Sequence, residues 1–207
     1  MKTKSIVIAL FLLTSISLFA VPGPCVQGTL ASYVALGTTG CTFEGSVFAN
    51  FAYPLPPAGT VPSVTPAQIL VTPIPGPIIA GFFQGLNFSA TWTAGAGELL
   101  HAVIAYTVTP PPPASTSAGT ITLNLGQVQI SGIIGSVNVT QETNVGNLSV
   151  FENCTEVCTF KGTDNLSFAP VRPLQVTNVL TLNGGSNGVV LRRFAAKYDL
   201  CPTCVQP

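Results

Sequence analysis

The sequence predicts an all-β protein, an antiparallel β-sandwich of about nine strands. Three observations carry that expectation. Apolar and polar residues alternate along most of the chain, which is the period-2 signature of half-buried strands. Twenty glycines and 18 prolines punctuate those runs. Only 7% of the residues are charged, against about 25% in ordinary soluble proteins, so Thr, Ser, Asn and Gln must solvate the surface. Disorder is excluded by the 47% apolar content, because disordered chains are apolar-poor and charge-rich.

The strands follow in order. Phe43, Val47, Ala49, Phe51 and Tyr53 define a first apolar face. Ala31 to Leu36, before it, is long enough for one helical turn. Ile78, Ala80, Phe82, Leu86, Phe88, Ala90 and Trp92 share a second face, and Leu100, Ala102, Ile104, Tyr106 and Val108 a third. Ile121, Leu123 and Leu125 form a fourth; beyond Gly126 the phase changes to Val128 and Ile130, which predicts a β-bulge at the glycine. Ile133 with Val137 and Val139, Leu148 with Val150, Leu174 with Val176, Leu180 and Leu182, and Val190 with Phe194 complete the set. Phe51, Phe82, Phe88, Trp92, Ile104 and Leu123 are expected in one core.

The breaks are equally marked. Pro54 to Gly59 ends the first long strand, and Pro73 to Pro77 precedes the second. Four successive prolines, Pro110 to Pro113, cannot lie within a central strand; they predict an extended connector between two sheets. Asn183 to Gly188 predicts a hairpin tip.

Residues 1–20 have the layout of a cleaved signal peptide: Lys2 and Lys4, then an apolar run from Ser5 to Ala20, then Val21-Pro22. The run is about 16 residues, shorter than the roughly 20 a spanning helix needs. The expected mature chain is therefore one domain over residues 21–207, secreted, extracellular and without a membrane span. Of seven basic and seven acidic residues, removal of Lys2 and Lys4 leaves five against seven, a net charge of about −2. No basic field remains to attract nucleic acid.

An exported chain with six cysteines implies disulfides. The expected pairing is local: Cys25–Cys41, Cys154–Cys158 and Cys201–Cys204. The spacing of the last four would also suit a four-thiolate zinc site, but the oxidising compartment favours disulfides. Cys201-x-x-Cys204 lacks the helix-start setting of a thiol oxidoreductase.

No other motif demands catalysis. His101 is the single histidine and would have to serve any Ser-His-Asp arrangement; no Gly-x-Ser-x-Gly elbow accompanies it, and a solvent-facing strand residue is expected. Glu44, Glu98, Glu142, Glu152, Glu156, Asp164 and Asp199 are scattered, with Glu152 and Glu156 flanking Cys154. A glycosidase pair needs defined separation across a cleft, which spacing alone does not supply. No calcium loop is present. Trp92, Tyr33, Tyr53 and Tyr106 would make a sugar-stacking platform if exposed, or core if buried. Sequons stand at Asn87, Asn138, Asn147, Asn153 and Asn165.

Leu30-Ala31-Ser32-Tyr33-Val34-Ala35-Leu36-Gly37-Thr38-Thr39-Gly40-Cys41, followed by Val47-Phe48-Ala49-Asn50-Phe51-Ala52-Tyr53, resembles the opening of a group of bacterial exported proteins. Gly81-Phe82-Phe83 and Leu99 to Thr109 are similar to the same group. Many of its members end in a PEP-CTERM sorting segment; here Cys201 to Pro207 stands in that place. The resemblance implies an exported β-rich domain of uncharacterised role and supplies no catalytic residues. The expected function is therefore a secreted, non-enzymatic structural or interaction protein without a cofactor. The alternative is a carbohydrate-binding module with a glycan partner.

Overall fold

The computed structural model describes residues 21–54, 60, 64–75, 83–110, 119–169 and 173–199. The strands are β1 (Gly23–Pro24), β2 (Gly28–Thr29), β3 (Cys41–Phe43), β4 (Ser46–Ala52), β5 (Leu70–Ile74), β6 (Phe83–Ala94), β7 (Leu99–Thr109), β8 (Gly119–Leu125), β9 (Val128–Ile130), β10 (Ile134–Thr143), β11 (Gly146–Thr155), β12 (Val157–Lys161), β13 (Thr163–Phe168), β14 (Leu174–Asn183) and β15 (Val189–Asp199). One helix, α1 (Leu30–Ala35), and a 3-10 turn at Pro66–Gln68 complete the described elements. None of the described helices is long and apolar enough to cross a membrane. Residues 1–20, where the signal peptide is expected, lie outside the described residues.

The strands form two sheets. One has eight strands in the order β1-β3-β4-β7-β14-β10-β11-β12; the other runs β13-β8-β15-β6-β5-β2, with β9 also paired to β15. All pairings are antiparallel except β1 with β3. The all-β sandwich is as expected, but the strand count exceeds nine. The missed strands are short or lack alternation. In β12 Val157 and Phe160 are both exposed, so no apolar parity marks it. β5 carries Pro73, which reads as a breaker. It is tolerated because, among the described residues, β2 pairs only with Leu70 and Val71 and none pairs beside Pro73 on that side.

The inner faces meet in a single core. Phe51, Phe88, Trp92, Ile104 and Leu123 all belong to it, as parity predicts; Phe82 lies outside the described residues. Phe88 stacks on Phe194 at 5.0 Å between ring centres, and Trp92 lies against the same ring at 5.9 Å. Across the sandwich, Phe88 and Tyr106 stand 5.8 Å apart. The faces of β7, β8 and β14 are as the alternation predicts.

Three faces differ from expectation. In β4 the buried residues are Ser46, Phe48, Ala49 and Phe51, with Val47 only half-buried. Asn50 adopts a left-handed φ of 56°, and the register with β7 slips between Ala49 and Ala52. This bulge changes the parity. In β15, Val189 and Leu191 point inward rather than Val190, and the inward phase resumes at Phe194. Ile133 is exposed and lies before β10 rather than on its inner face.

The phase change at Gly126 is real and is shared by two strands. Leu125 pairs with Phe194, and Val128 pairs with Leu191. Two residues therefore intervene on each side, joined by Gly126 N–H to the Arg193 carbonyl at 2.9 Å and Arg192 N–H to the Gln127 carbonyl at 2.8 Å. Both strands change face together, which leaves Arg192 and Arg193 consecutively exposed.

The predicted hairpin at Asn183 to Gly188 is a correction. β14 and β15 lie in different sheets, so the segment is an arch crossing the end of the sandwich. The β6–β7 turn is a second such arch. The two lock together through Gly97 N–H to the Gly185 carbonyl at 2.8 Å and Gly184 N–H to the Glu98 carbonyl at 3.0 Å. A Cβ on Gly184 would collide with the Gly95 carbonyl oxygen, so glycine there reflects backbone contact between arches. The chain also changes sheet between β7 and β8, where the proline connector is expected; Pro111 to Pro113 lie outside the described residues.

The helix at the entrance is the turn expected at Ala31 to Leu36. Thr29 caps it, its hydroxyl accepting from Ser32 N–H at 3.2 Å. It buries Leu30 and Tyr33 and ends at Gly37, whose φ is +56°.

Candidate functional site

Cys25–Cys41 and Cys154–Cys158 are disulfide-bonded, as the local pairing predicts. The first ties β1 to β3; the second joins register partners of β11 and β12. Cys201 and Cys204 lie outside the described residues. With the Cys154 and Cys158 sulfurs bonded to each other, that pair has no thiolate to offer zinc. Among the described residues no group of three metal-ligating side chains comes together.

His101 sits on the outer face of β7, half-buried, opposite Thr181 of β14. Glu152 is on β11, whereas Glu156 occupies the β11–β12 turn with φ 78°. The structure thus gives these two acids different settings rather than one shared strand face.

Three of the four candidate stacking aromatics are core residues, and the fourth, Tyr53, packs against the core. Trp92 is 0% exposed, Tyr106 2% and Tyr33 3%. Tyr53 is half-buried and donates its hydroxyl to the Val64 carbonyl at 3.0 Å. This overturns the platform, because a sugar ring needs an exposed aromatic face. The reason is parity for Trp92 and Tyr106, which lie on the inward phase of β6 and β7, and the buried side of α1 for Tyr33; Tyr53, just past β4, packs half-buried against the core.

The sequons Asn138, Asn147, Asn153 and Asn165 are exposed on strands β10, β11 and β13. Asn87 is half-buried on β6 and donates to the Ser89 hydroxyl at 2.8 Å.

Two arrangements were not foreseen. The first is a polar layer inside the core. Tyr106 and Tyr198 touch hydroxyl to hydroxyl at 2.5 Å. Gln141 Nε2 donates to Tyr198 at 3.0 Å and to Asn178 Oδ1 at 3.1 Å. Gln84 Nε2 donates to the Ser46 hydroxyl across the sheets. Burial pushes both tyrosine hydroxyls far above the usual phenol range, so they remain neutral. The signal was legible as Asn178 within the Leu174-Val176-Leu180-Leu182 parity and Gln141 within that of Val137 and Val139. Gln84 Oε1 and Gln141 Oε1 are buried without a partner among the described residues, so the network is only partly satisfied, yet its contacts between Tyr106 and Tyr198 and between Gln84 and Ser46 join the two sheets.

The second is an open groove of about 460 Å³ on the outer face of the seven-stranded sheet. It is lined by Thr72, Asn87, Asn124, Arg193, Ala195 and Lys197, with Pro73 and Ile74 at one edge. The register brings Asn124, Ala195, Asn87 and Thr72 into one row across β8, β15, β6 and β5. The sequence signal for it was Arg192, Arg193 and Lys197 within six residues of a chain holding seven basic residues in all.

The fold thus defines an antiparallel, disulfide-closed β-sandwich. No protein-family model matches the chain, and no curated protein does. Among solved structures it is similar to the enzymatically active domain of tailspike protein 4 from bacteriophage CBA120, at 11% identity and a TM-score of 0.27. That match covers 73% of this chain and 19% of the other, so the chain spans about a fifth of that protein's length. Neither its architecture nor its enzymatic character is carried over.

Proposed function

We propose that this is an exported, non-enzymatic β-sandwich that acts outside the cell by presenting its sheet faces to a partner. One observation carries the reading: the outer faces are laid out as cross-strand pairs of hydroxyls and amides. Thr122 donates to Asn165 Oδ1 at 2.8 Å, Thr163 to Asn124 Oδ1 at 3.1 Å, and Ser149 to Asn138 Oδ1 at 3.0 Å. Such ladders give a hydrogen-bonding surface held in place by the two paired sheets. The two disulfides suit an oxidising compartment. The signal-like first 20 residues and the resemblance to exported proteins point the same way. His101 beside Thr181 supports a surface role for the histidine rather than a catalytic one.

The test has two readouts. Exported protein should begin near Val21 on N-terminal sequencing; a chain still starting at Met1 overturns the export reading. Purified mature protein should show no turnover on a panel of chromogenic glycosides, esters and peptides. Saturable turnover that disappears in His101→Ala would make it an enzyme.

A further inference from the structure

We propose that the groove across β8, β15, β6 and β5 binds an acidic saccharide, a glycan chain bearing uronate carboxylates. The proposal rests on the reading of the protein as an exported binding protein and names the ligand class and its site.

Charge is the first argument. Among the described residues the basic side chains are Lys161, Arg192, Arg193 and Lys197, and Lys161 is paired with Asp164 at 2.9 Å. The other three all stand on β15. Arg193 and Lys197 line the groove, and none of its described lining residues is acidic. Asp199 follows on the same face of β15 but is buried at the strand end. In a chain so poor in charge, two cations without an acidic lining partner form a local anion-attracting field.

Shape is the second argument. Arg193, Ala195 and Lys197 alternate along one strand face, so the two cations flank a small residue over about 13 Å of strand. Ala195 forms the floor between Asn124 on β8 and Asn87 on β6. Each cation stem lies across a glycine, Gly126 just past β8 and Gly85 on β6. A Cβ on Gly126 would strike Arg193 Cγ, and a Cβ on Gly85 would come within 3.1 Å of Lys197 Cγ and 2.5 Å of the Ala196 carbonyl oxygen. Arg193 therefore leans toward β8 and Lys197 toward β6, leaving the floor open between them.

The chemistry matches a uronan. A planar guanidinium takes a carboxylate in a bidentate pair. Asn124 Oδ1 is engaged by Thr163, which turns its NH₂ into the donor left for a sugar oxygen. Thr72 adds a hydroxyl, and Pro73 with Ile74 gives an apolar edge for the ring face. The groove is open and its lining crosses four strands, as a chain ligand requires.

The test is affinity electrophoresis of the mature protein in gels containing polygalacturonate, dextran sulfate or neutral dextran. Retardation is expected in polygalacturonate, weaker in dextran sulfate and absent in dextran. Arg193→Gln and Lys197→Gln should each weaken it about threefold to tenfold. Ala195→Leu, which fills the floor without changing charge, should weaken it about tenfold, with an unchanged thermal melt showing that the fold is intact. No retardation in polygalacturonate overturns the assignment while leaving the non-enzymatic reading to its own turnover test. Equal retardation in dextran sulfate, or indifference to Ala195→Leu, reduces the effect to charge alone and also overturns it.

Discussion

The hydroxyls of Tyr106 and Tyr198 meet at 2.5 Å across the sandwich, one from each sheet. Tyr106 stacks on Phe51 at 5.2 Å, and Tyr198 lies 6.3 Å from Phe48, so the polar contact is embedded in aromatic packing. Leaving one hydroxyl buried without its partner costs about 1–3 kcal/mol. Tyr106→Phe and Tyr198→Phe should each destabilise by that order. Because both single changes abolish the same contact, the double variant should cost less than their sum. A urea-denaturation cycle checks this; strict additivity would mean the two hydroxyls act independently.

Phe88 and His101 test the strand register from opposite faces. Phe88 is 0% exposed between Phe194 and Tyr106, and truncating such a ring costs about 3–5 kcal/mol. His101 points outward from β7, so His101→Ala should stay within about 0.5 kcal/mol. The expected order is a large fall in denaturation midpoint for Phe88→Ala and almost none for His101→Ala. The reverse order would require β6 and β7 to present their other faces inward.

How much of this was legible follows from what alternation can and cannot record. Where a strand stays regular, as β7 does from Leu100 to Val108, parity reads the buried face correctly. Where one residue turns left-handed, as at Asn50, every later side chain changes face, and the sequence holds only an unremarkable asparagine. Gly126 was visible as a phase change because both phases are apolar. The arch at Gly184 looked like a hairpin because glycine clusters serve both geometries; only the sheet each strand joins separates them. The groove escaped notice for a different reason. Its residues come from four strands that the register aligns, and pairing partners are not written in local periodicity. The four aromatics were seen as core or platform, and burial decides for core at Trp92, Tyr106 and Tyr33, with Tyr53 packed half-buried against it.

Asp164 ties the two sheets at one side. Its Oδ2 accepts from the Ser149 N–H at 2.9 Å and its Oδ1 faces Lys161. Partial burial alone would raise its pKa, but the Ser149 N–H and the Lys161 ammonium outweigh it, and the pKa is lowered. A lowered folded pKa means stability present above the unfolded value of about 3.9 and lost as pH falls through the folded one. Asp164→Asn should cost about 1 kcal/mol at pH 6, and the gap to the wild type should close as the pH is taken toward 3. A gap unchanged over that range would leave the carboxylate charge without a role.

Cys25 and Cys41 close a 16-residue separation and anchor the first strand pair beside α1. In the chain-entropy picture a loop of that length is worth about 3 kcal/mol. Cys25→Ala/Cys41→Ala should therefore lower stability by that order, whereas Cys154→Ala/Cys158→Ala, closing a separation of four at an exposed turn, should cost much less. Thiol titration of the denatured, non-reduced wild type should find almost no free sulfhydryl. Equal losses from the two double variants would assign the stabilisation to local strain or packing instead of loop closure.

Tyr33 gives the fold an alkaline limit. Its ring lies edge-on to Phe51 at 5.0 Å and its hydroxyl donates to the Val26 carbonyl at 2.7 Å. Burial pushes its pKa up to about 12, above the value of about 10 for an unfolded tyrosine. The folded state therefore holds the proton that the unfolded state releases. The sign follows: this group's contribution is complete below about pH 10 and is lost as pH rises from there through about 12. Tyr106 and Tyr198, also raised, add loss of the same sign, so wild-type stability should fall steeply above pH 10. Tyr33→Phe removes one ionising group and one hydrogen bond. It should be less stable than wild type at pH 8 by about 1 kcal/mol yet fall less steeply between pH 10 and 11. Urea midpoints at pH 8, 10 and 11 for both proteins measure this, and parallel declines would show that Tyr33 is not the group resisting ionisation.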